Sequence, residues 1–453
     1  MRILHISCSY FPTNIGGTET YIRDLSQELI ARGHQVFISY VGGFYERSRT
    51  KLRIKEYIFE GVPIFAIERN TFGFKTADIY FDPEDRVYPL FKECCQKLKP
   101  DIIHFHHLSP SDILAQMKVA KEVGLPLILT YHTPMMTCQQ AYMLYLGQEP
   151  CDGKIEYRKC LICAQVNYGI PIYLARLWAG MPKNMTNSLG RFIANTGLPC
   201  RFATWLQLPW LTREIMDGWR SELKMIDHFV AVCQWVYELL IKNNIPPEKI
   251  TLCRHGIISQ TPPIMKKQRH DILRLGYLGR IHHSKGIEVL LKAFKLLPYH
   301  YNKIELYIYG LIQDEPDKRY LHKLLRLSAN DQRIKWMGIL SSKEKFQALS
   351  QLDILVIPSL WLETGPLVLL ESWAVGTPVI GTNRGGVAEL IKNRCGGLLF
   401  NSGDASDLAR VITEVYDNPD LLTKLRISIP KVRTMKEVAD DMESLYQRLK
   451  SAR

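Results

Sequence analysis

Short apolar runs alternate with helical-period segments along most of the chain. RILHIS (2–7), HQVFISYV (34–41), VPIFAI (62–67), DIIHFH (101–106), LPLILTYH (125–132), HFVAVC (228–233) and KITLCRHG (249–256) are nearly continuous in hydrophobicity. That is the pattern of strands covered on both faces. Amphipathic stretches separate several of them, the clearest over 18–32 with Gly33 as its stop. The pattern restarts with ILRLGYLGR (272–280) and runs through KIELYIYG (303–310), RIKWMG (333–338), DILVIPS (353–359), TPVIGT (377–382) and GGLLF (396–400). From about residue 404 it is helical to the end. Strands alternating with helices predict an α/β architecture of doubly wound parallel sheets. GIISQTPPIMKKQRHD (256–271) has turn residues, charges and no periodicity, and reads as a linker. The expected layout is therefore a Rossmann-like domain over 1–255, a linker over 256–271, a second Rossmann-like domain over 272–430 and a helical segment over 431–453, with a ligand cleft between the two domains.

A length of 453 residues agrees with two domains. The balance of 58 basic to 45 acidic residues, a formal charge of +13, favours an anionic partner. MRILHISCSY reads as a strand and not as a secretion signal. The most apolar region, 353–382, is interrupted by Asp353, Pro358, Glu363, Pro366, Glu371 and Pro378, so it reads as buried sheet and helix and not as a membrane span. A cytoplasmic location follows as an expectation.

The stretch ETGPLVLLE (363–371) stands between the strands DILVIPS and TPVIGT, which places it at the carboxyl end of a parallel strand, where such sheets bind ligands. Glu363 and Glu371 have a bland reading as a solvated loop acid and an exposed helix charge. The setting favours another. Pro366 suits the first helical position, Gly365 lets backbone approach a ligand, and the amides of Leu367 and Val368 make an anion site at the helix start. Glu363 then faces the ligand and Glu371 bonds a hydroxyl. A ligand with both phosphate and hydroxyls, such as a sugar nucleotide, fits. In GRIHHSKG (279–286), Arg280 follows a strand and Lys285 comes five residues later, a spacing suited to clamping a diphosphate, with Ser284 as the cap of the next helix.

The first half offers less specific candidates. Gly16 and Gly17 in NIGGTET either present amides to a phosphate or form a turn; they lack the full G-x-G-x-x-G pattern of a dinucleotide site. HFHH (104–107) and TYHTP (130–134) end two strands, and His132 is the favoured reacting-site histidine because Thr133-Pro134 marks a sharp exit. An insertion over 134–225 holds Cys138, Cys151, Cys160 and Cys163, spaced C-x12-C-x8-C-x2-C. These either build a structural zinc site or are reduced buried or redox-labile thiols. Its 166–222 portion is rich in aromatic and basic residues, and either lies on an anionic membrane surface or packs on the first domain. No D-x-D acid pair appears, so no cofactor or metal is expected to be required for catalysis.

ETGPLVLLE followed by GTPVIGTNRGGVAELI, with GRIHHSKG upstream and GGTE near the start, resembles retaining glycosyltransferase family 4 over nearly the whole chain. The resemblance implies the twin-Rossmann GT-B fold, with the C-terminal helix crossing back to the first domain. It implies a donor set of Gly16, Gly17, Arg280, Lys285, Glu363, Thr364, Gly365, Pro366, Leu367, Val368 and Glu371. In that set Arg280 and Lys285 hold the diphosphate, Glu363 the sugar hydroxyls and Glu371 the ribose. His132 matches the family histidine near the sugar, although Thr133 stands where an Asp often follows. The implied reaction moves a sugar from a nucleotide-diphosphate donor to a glycan or lipid-linked acceptor with retention, in surface polysaccharide or glycolipid biosynthesis. The rivals are a sugar-nucleotide epimerase or glycan phosphorylase on the same fold, or a non-catalytic binder of anions or membranes. Nucleic acid is not expected as a partner.

Overall fold

The computed structural model describes residues 1–12, 16–44, 52–70, 87–107, 112–134, 137–196, 201–258, 271–298, 300–312 and 315–452. Most of the expected linker, 259–270, lies outside the described residues. The chain divides into two compact units. Unit 1 comprises Met1–Val232, Val236–Cys253 and Ala439–Arg453, and unit 2 comprises Cys233–Trp235 and Arg254–Val438.

Unit 1 carries strands β1 (Arg2–Ser7), β2 (Gln35–Phe44), β3 (Leu52–Phe59), β4 (Val62–Asn70), β5 (Ile102–Phe105) and β6 (Leu127–Tyr131), a small hairpin of β7 (Leu144–Tyr145) and β8 (Glu149–Pro150), then β9 (His228–Ala231) and β10 (Ile250–Leu252). The main sheet runs β10-β9-β6-β5-β1-β2-β4-β3 and is parallel except for β3, which pairs antiparallel with β4. The hydrophobic pattern passes over β3. Its exposed residues include Arg53, Lys55 and Glu56 at the sheet edge, where charge discourages further pairing. Helices α1 (Gly17–Ala31), α2 (Val87–Leu98) and α3 (Asp112–Glu122) fall between these strands. In α1 the buried Tyr21, Ile22, Leu25 and Leu29 recur at helical spacing. The insertion folds as α4 (Tyr157–Asn167), α5 (Ile172–Ala179), α6 (Lys183–Thr196) and α7 (Arg201–Met225), and α8 (Gln234–Lys242) follows β9. Leu161, Ile162, Ala175 and Ala179 form a small core of the insertion's own.

Unit 2 has six parallel strands, β11 (Leu273–Arg280), β12 (Ile304–Leu311), β13 (Ile334–Gly338), β14 (Ile354–Ile357), β15 (Val379–Thr382) and β16 (Gly397–Phe400), in the order β13-β12-β11-β14-β15-β16. Alternate residues of β14 feed different cores: Ile354 and Val356 join one cluster, Leu355 and Ile357 the other. Period-two alternation with both sides apolar is what a sheet covered on both faces requires. The covering helices are α9 (Ile287–Leu296), α10 (Glu315–Ser328), α11 (Ser342–Gln351), α12 (Leu367–Ala374), α13 (Gly385–Leu390), α14 (Ala405–Asp417) and α15 (Pro419–Ile427). The last helix, α16 (Met435–Ser451), contributes Ala439 onward to unit 1, where Tyr446 is fully buried.

Candidate functional site

In unit 2 the strand order counted along the chain is 3-2-1-4-5-6, and the order reverses between β11 and β14. A crevice opens at the carboxyl ends of the strands at such a reversal, because the flanking crossovers leave on opposite faces. The two loops that leave these ends carry GRIHHSKG and ETGPLVLLE. They are tied together by the Leu360 amide donating to the Ser284 carbonyl at 2.8 Å.

Arg280 is the last residue of β11, and its carbonyl accepts from the Tyr277 hydroxyl at 2.7 Å. A short turn, His283–Lys285, follows. His282 Nδ1 accepts from the Ser284 amide and fixes the start of that turn. The cap of α9 is Gly286, not the expected Ser284. Gly286 sits at φ 70°, and a Cβ there would lie 1.8 Å from the Pro358 carbonyl oxygen. The left-handed turn and the close approach both exclude other residues, so the two loops meet only because this position is glycine.

Lys285 reaches across to Glu363, Nζ to Oε1 at 2.8 Å, and stands 4.6 Å from the centre of the Trp361 ring. Ser359 Oγ donates to the same carboxylate oxygen at 2.7 Å. Burial pushes the Glu363 carboxyl up, but Lys285 and Ser359 outweigh it and hold the group below its ordinary range. A buried acid therefore stays charged where the two loops meet. Thr364 is buried beside it. Gly365 has φ 145° and its carbonyl accepts from His255 Nδ1 at 2.9 Å. Pro366 is the cap residue rather than the first helical one; α12 starts at Leu367, so Leu367 and Val368 lie in its first turn as expected. Glu371, one turn on, is buried and forms a short ion pair with Lys345, so it is anchored and not free in a loop.

Several residues that hold this loop were not singled out from sequence. The Gly386 amide donates to the Glu363 carbonyl at 2.7 Å, and Trp235 Nε1 donates to the same oxygen at 3.0 Å. Gly385 has φ 58° and would bring a Cβ within 2.8 Å of it. Glu389 accepts from the amides of Gln234 and Trp235, both at 2.8 Å. The signal for Gly385 and Gly386 was present in NRGG; that for Trp235 and Glu389 was not, because they lie far apart in the chain.

In unit 1 the strand order reverses between β1 and β5. His5 of β1 and His104 of β5 stand in register, with His106 just past β5 and His132 just past β6. His132 Nε2 shares a hydrogen bond with His106 Nδ1 at 3.0 Å, and His106 Nε2 shares one with His5 Nδ1 at 2.9 Å. His104 is held by Thr130 Oγ1 at 2.7 Å and by the Tyr446 hydroxyl at 2.6 Å. Burial pushes His5 down to about 3, and burial with neighbouring imidazoles pushes His104 and His106 well below the ordinary value. A neutral imidazole has one N–H and one lone pair, so the bonds from His132 through His106 to His5 all run in one direction. His132 is thus the end of a chain and not a lone strand-end residue. Among the described residues, His5, His104 and His106 are also the one group of three ligand atoms close enough to share an ion. Both ring nitrogens of His104 and of His106 are already in hydrogen bonds, which disfavours that use.

Gly16 caps α1, and Gly17 is its first residue. A Cβ at Gly16 would lie 2.5 Å from Glu19 Oε2, so the glycine makes room for a buried carboxylate that accepts from Ser9 Oγ at 2.7 Å. Cys138, Cys151, Cys160 and Cys163 are free thiols; burial first, and neighbouring thiols second, raise the pKa of Cys151, Cys160 and Cys163. The Leu146 amide donates to Cys163 Sγ at 3.3 Å, but no three of these sulfurs come within 4.8 Å of one another. The donor set suits zinc and the spacing of the sulfurs does not form a closed tetrahedron. Among the described residues no helix is long and apolar enough to cross a membrane.

Comparison with known proteins agrees with this geometry. Residues 264–432 match the family described as Glycosyl transferases group 1, and 15–156 match Glycosyltransferase Family 4. A D-inositol 3-phosphate glycosyltransferase of Pseudarthrobacter chlorophenolicus is 32% identical over 421 residues, covering 89% of this chain and 83% of that protein. The amylovoran biosynthesis glycosyltransferase AmsK of Erwinia amylovora is 29% identical over 39% of this chain and 44% of its own length. The lipopolysaccharide core biosynthesis glycosyltransferase LpsE of Rhizobium meliloti is 27% identical over 48% of this chain and 54% of its own. The chain therefore spans about half the length of these last two. Among solved structures, sucrose-phosphate synthase of Thermosynechococcus elongatus superposes with a TM-score of 0.65 at 17% identity, covering 100% of both chains. Anabaena Alr3699/HepE in complex with UDP superposes at 0.62 and 12%, covering 99% of this chain and 100% of that one. These likenesses show the GT-B fold. With two parallel-sheet units, a charged switch point and a relative this similar along most of its length, the chain belongs to the group 1, family 4 glycosyltransferases and is a transferase enzyme.

Proposed function

We propose that the enzyme transfers a sugar from a nucleotide-diphosphate donor to an acceptor hydroxyl with retention at the anomeric carbon. The observation that carries this reading is the Lys285–Glu363 pair beside Arg280 at the reversal between β11 and β14. The leaving diphosphate gains negative charge as the glycosidic bond breaks. Arg280, Lys285 and the amides at the start of α12 supply fixed positive charge and dipoles for it, the kind of preorganised stabilisation that lowers a barrier most. Glu363, held ionised, accepts from donor sugar hydroxyls and aligns the ring. Glu371 accepts from a ribose hydroxyl while Lys345 keeps it in place. Gly16 and Gly17 present amides to the phosphates, and His132 contacts the sugar. No cofactor is required for the chemistry in this reading, and zinc, if held by the four cysteines, is structural.

The names of relatives that make amylovoran and lipopolysaccharide core support a glycan or lipid-linked acceptor in surface polysaccharide assembly. The complex of Anabaena Alr3699/HepE with UDP-glucose supports a nucleotide-sugar donor. The test is calorimetric titration with UDP-, GDP- and ADP-sugars, with and without EDTA, on the native chain and on Arg280→Ala. Binding of one donor class that survives EDTA and is lost in the variant supports the reading. Undiminished binding in Arg280→Ala overturns the clamp. The anomeric configuration of the product, read by NMR, decides retention.

A further inference from the structure

We infer that the helical insertion of unit 1 is a docking surface for an anionic lipid bilayer. Between Tyr157 and Arg213 the sequence has seven lysines and arginines and not one aspartate or glutamate. That single stretch accounts for more than half of the chain's excess charge of +13. The same stretch bears large apolar side chains on its surface: Ile172, Tyr173 and Leu177 on α5, Met185 and Phe192 on α6, and Phe202 at the start of α7, with Tyr173, Leu177, Phe192 and Phe202 each about two-thirds exposed at 64–69%.

The placement is not random scatter. On α5 the buried side is small, with Ala175 and Ala179 packed into the insertion core, and the large residues face out. A helix stabilised by its neighbours normally shows the reverse, large residues in and small or polar residues out. The Phe202 ring stands 5.6 Å from Trp205, which stands 5.5 Å from Trp178 of α5, so an aromatic cluster joins α5 to the start of α7. Arg158 of α4, Arg176 of α5, and Lys183 and Arg191 of α6 are exposed on the helices of the insertion, and of these Arg191 pairs with Glu214 at 3.2 Å. Aromatic and aliphatic tips ringed by cations suit the boundary between lipid headgroups and acyl chains. No described helix can span the bilayer, so the contact is with its surface. A protein partner would need acids spread over the whole patch and matched shape; a bilayer rich in anionic headgroups supplies charge everywhere and accommodates any side-chain outline. This inference is independent of the donor chemistry. It adds a reason for the insertion, since an enzyme held at a membrane meets lipid-borne acceptors at high local concentration.

The experiment is co-sedimentation of the full chain with vesicles of phosphatidylcholine alone or of phosphatidylcholine mixed with phosphatidylglycerol. Binding is expected only to the mixed vesicles and should weaken as salt is raised. Arg176→Glu with Lys183→Glu should lower the partition coefficient by roughly 25-fold or more, at about fivefold for each basic charge removed. Tyr173→Ser with Leu177→Ser should lower it as well, with an unchanged melting temperature because both positions are exposed. Two results overturn the inference: native protein that stays in the supernatant with mixed vesicles, or variants that bind them as native does. Concentration-dependent self-association that both variants abolish, with no vesicle binding, assigns the face to a second copy instead.

Discussion

Between β11 and β14, the switch point of unit 2 presents a lysine paired with a buried ionised glutamate; between β1 and β5, that of unit 1 presents three buried imidazoles held neutral. The sheets share a topological logic, but the local environment sets opposite protonation outcomes. Glu363 is as deeply buried as His106 and stays charged, because Lys285 and Ser359 stabilise the ion more than burial penalises it. The titratable groups that shift His106 are other imidazoles, all in the same direction as burial, so nothing offsets it. Burial alone therefore does not predict charge; the partner does. In the proposed reaction the charged site is the one suited to stabilise a leaving diphosphate. A neutral chain of histidines orients its terminal member without adding charge.

Breaking the charged side of this contrast should have the largest effect. Lys285→Ala removes a cation from the site and leaves Glu363 buried without its partner. Transfer activity should fall by roughly 10²-fold or more. Unfolding free energy should fall too, by somewhat less than the ~3–5 kcal/mol seen for fully buried pairs, since Lys285 is partly exposed. Full activity in a folded variant would remove Lys285 from the mechanism. Gly386→Ala attacks the same loop through sterics. Its Cβ would meet the Thr364 carbonyl carbon at 2.8 Å, so the loop must move, and donor affinity should drop by about tenfold with a stability loss on the order of 1–3 kcal/mol, read by titration and denaturant unfolding.

The neutral side is tested by pH. His5, His104 and His106 are neutral when folded, whereas the unfolded chain binds protons near the ordinary value of 6.5. Below that value the unfolded state takes up protons that the folded state refuses, so stability falls as pH falls, by up to about 1.4 kcal/mol per pH unit for each histidine. His106→Gln should flatten that dependence in chemical denaturation between pH 7.5 and 5.5; an unchanged slope would show that the imidazole chain contributes nothing to it.

The smallest expected effect lies away from both sites. Glu222 of α7 is fully buried with no hydrogen-bond partner for either carboxylate oxygen, and burial raises it to about 8. A raised carboxyl favours the fold at low pH, and that contribution is lost as pH rises from 4.5 toward 8. Glu222→Gln should therefore raise the melting temperature at pH 8 by a few degrees, on the order of 1–2 kcal/mol, and leave it unchanged at pH 5. Equal shifts at both values would mean that the acid does not titrate in this window.

How much could be read in advance differs between the same two regions. ETGPLVLLE and GRIHHSKG are contiguous stretches whose glycines, proline and charges each have a local meaning, so Arg280, Lys285, Glu363 and Gly365 were legible as candidate site residues at strand ends before any fold was known. The histidine chain draws on residues 5, 106 and 132, with His104 packed beside it, and only His132 was favoured from its strand exit. The cap of α9 was assigned to Ser284 by type preference. It fell to Gly286 because the Pro358 carbonyl occupies the space a side chain needs, and that carbonyl belongs to the loop after β14, about seventy residues away in the chain. β3 was passed over for a related reason: an edge strand carries charges on its open side and breaks the apolar run that marks its buried neighbours.

The order of residues by itself determined the alternation of strands and helices, the two-domain layout, the placement of Arg280, Lys285 and Glu363 in loops at strand ends and the basic, acid-free character of the insertion, since all of these follow from periodicity, turn chemistry and local charge. Only the tertiary structure decided that β11 and β14 lie side by side, that Lys285 meets Glu363, that Lys345 anchors Glu371 and that three histidines carried by or following β1, β5 and β6 share one hydrogen-bonded chain. Those contacts join segments tens of residues apart, and their energies depend on burial and partner together, which no local stretch of the chain contains.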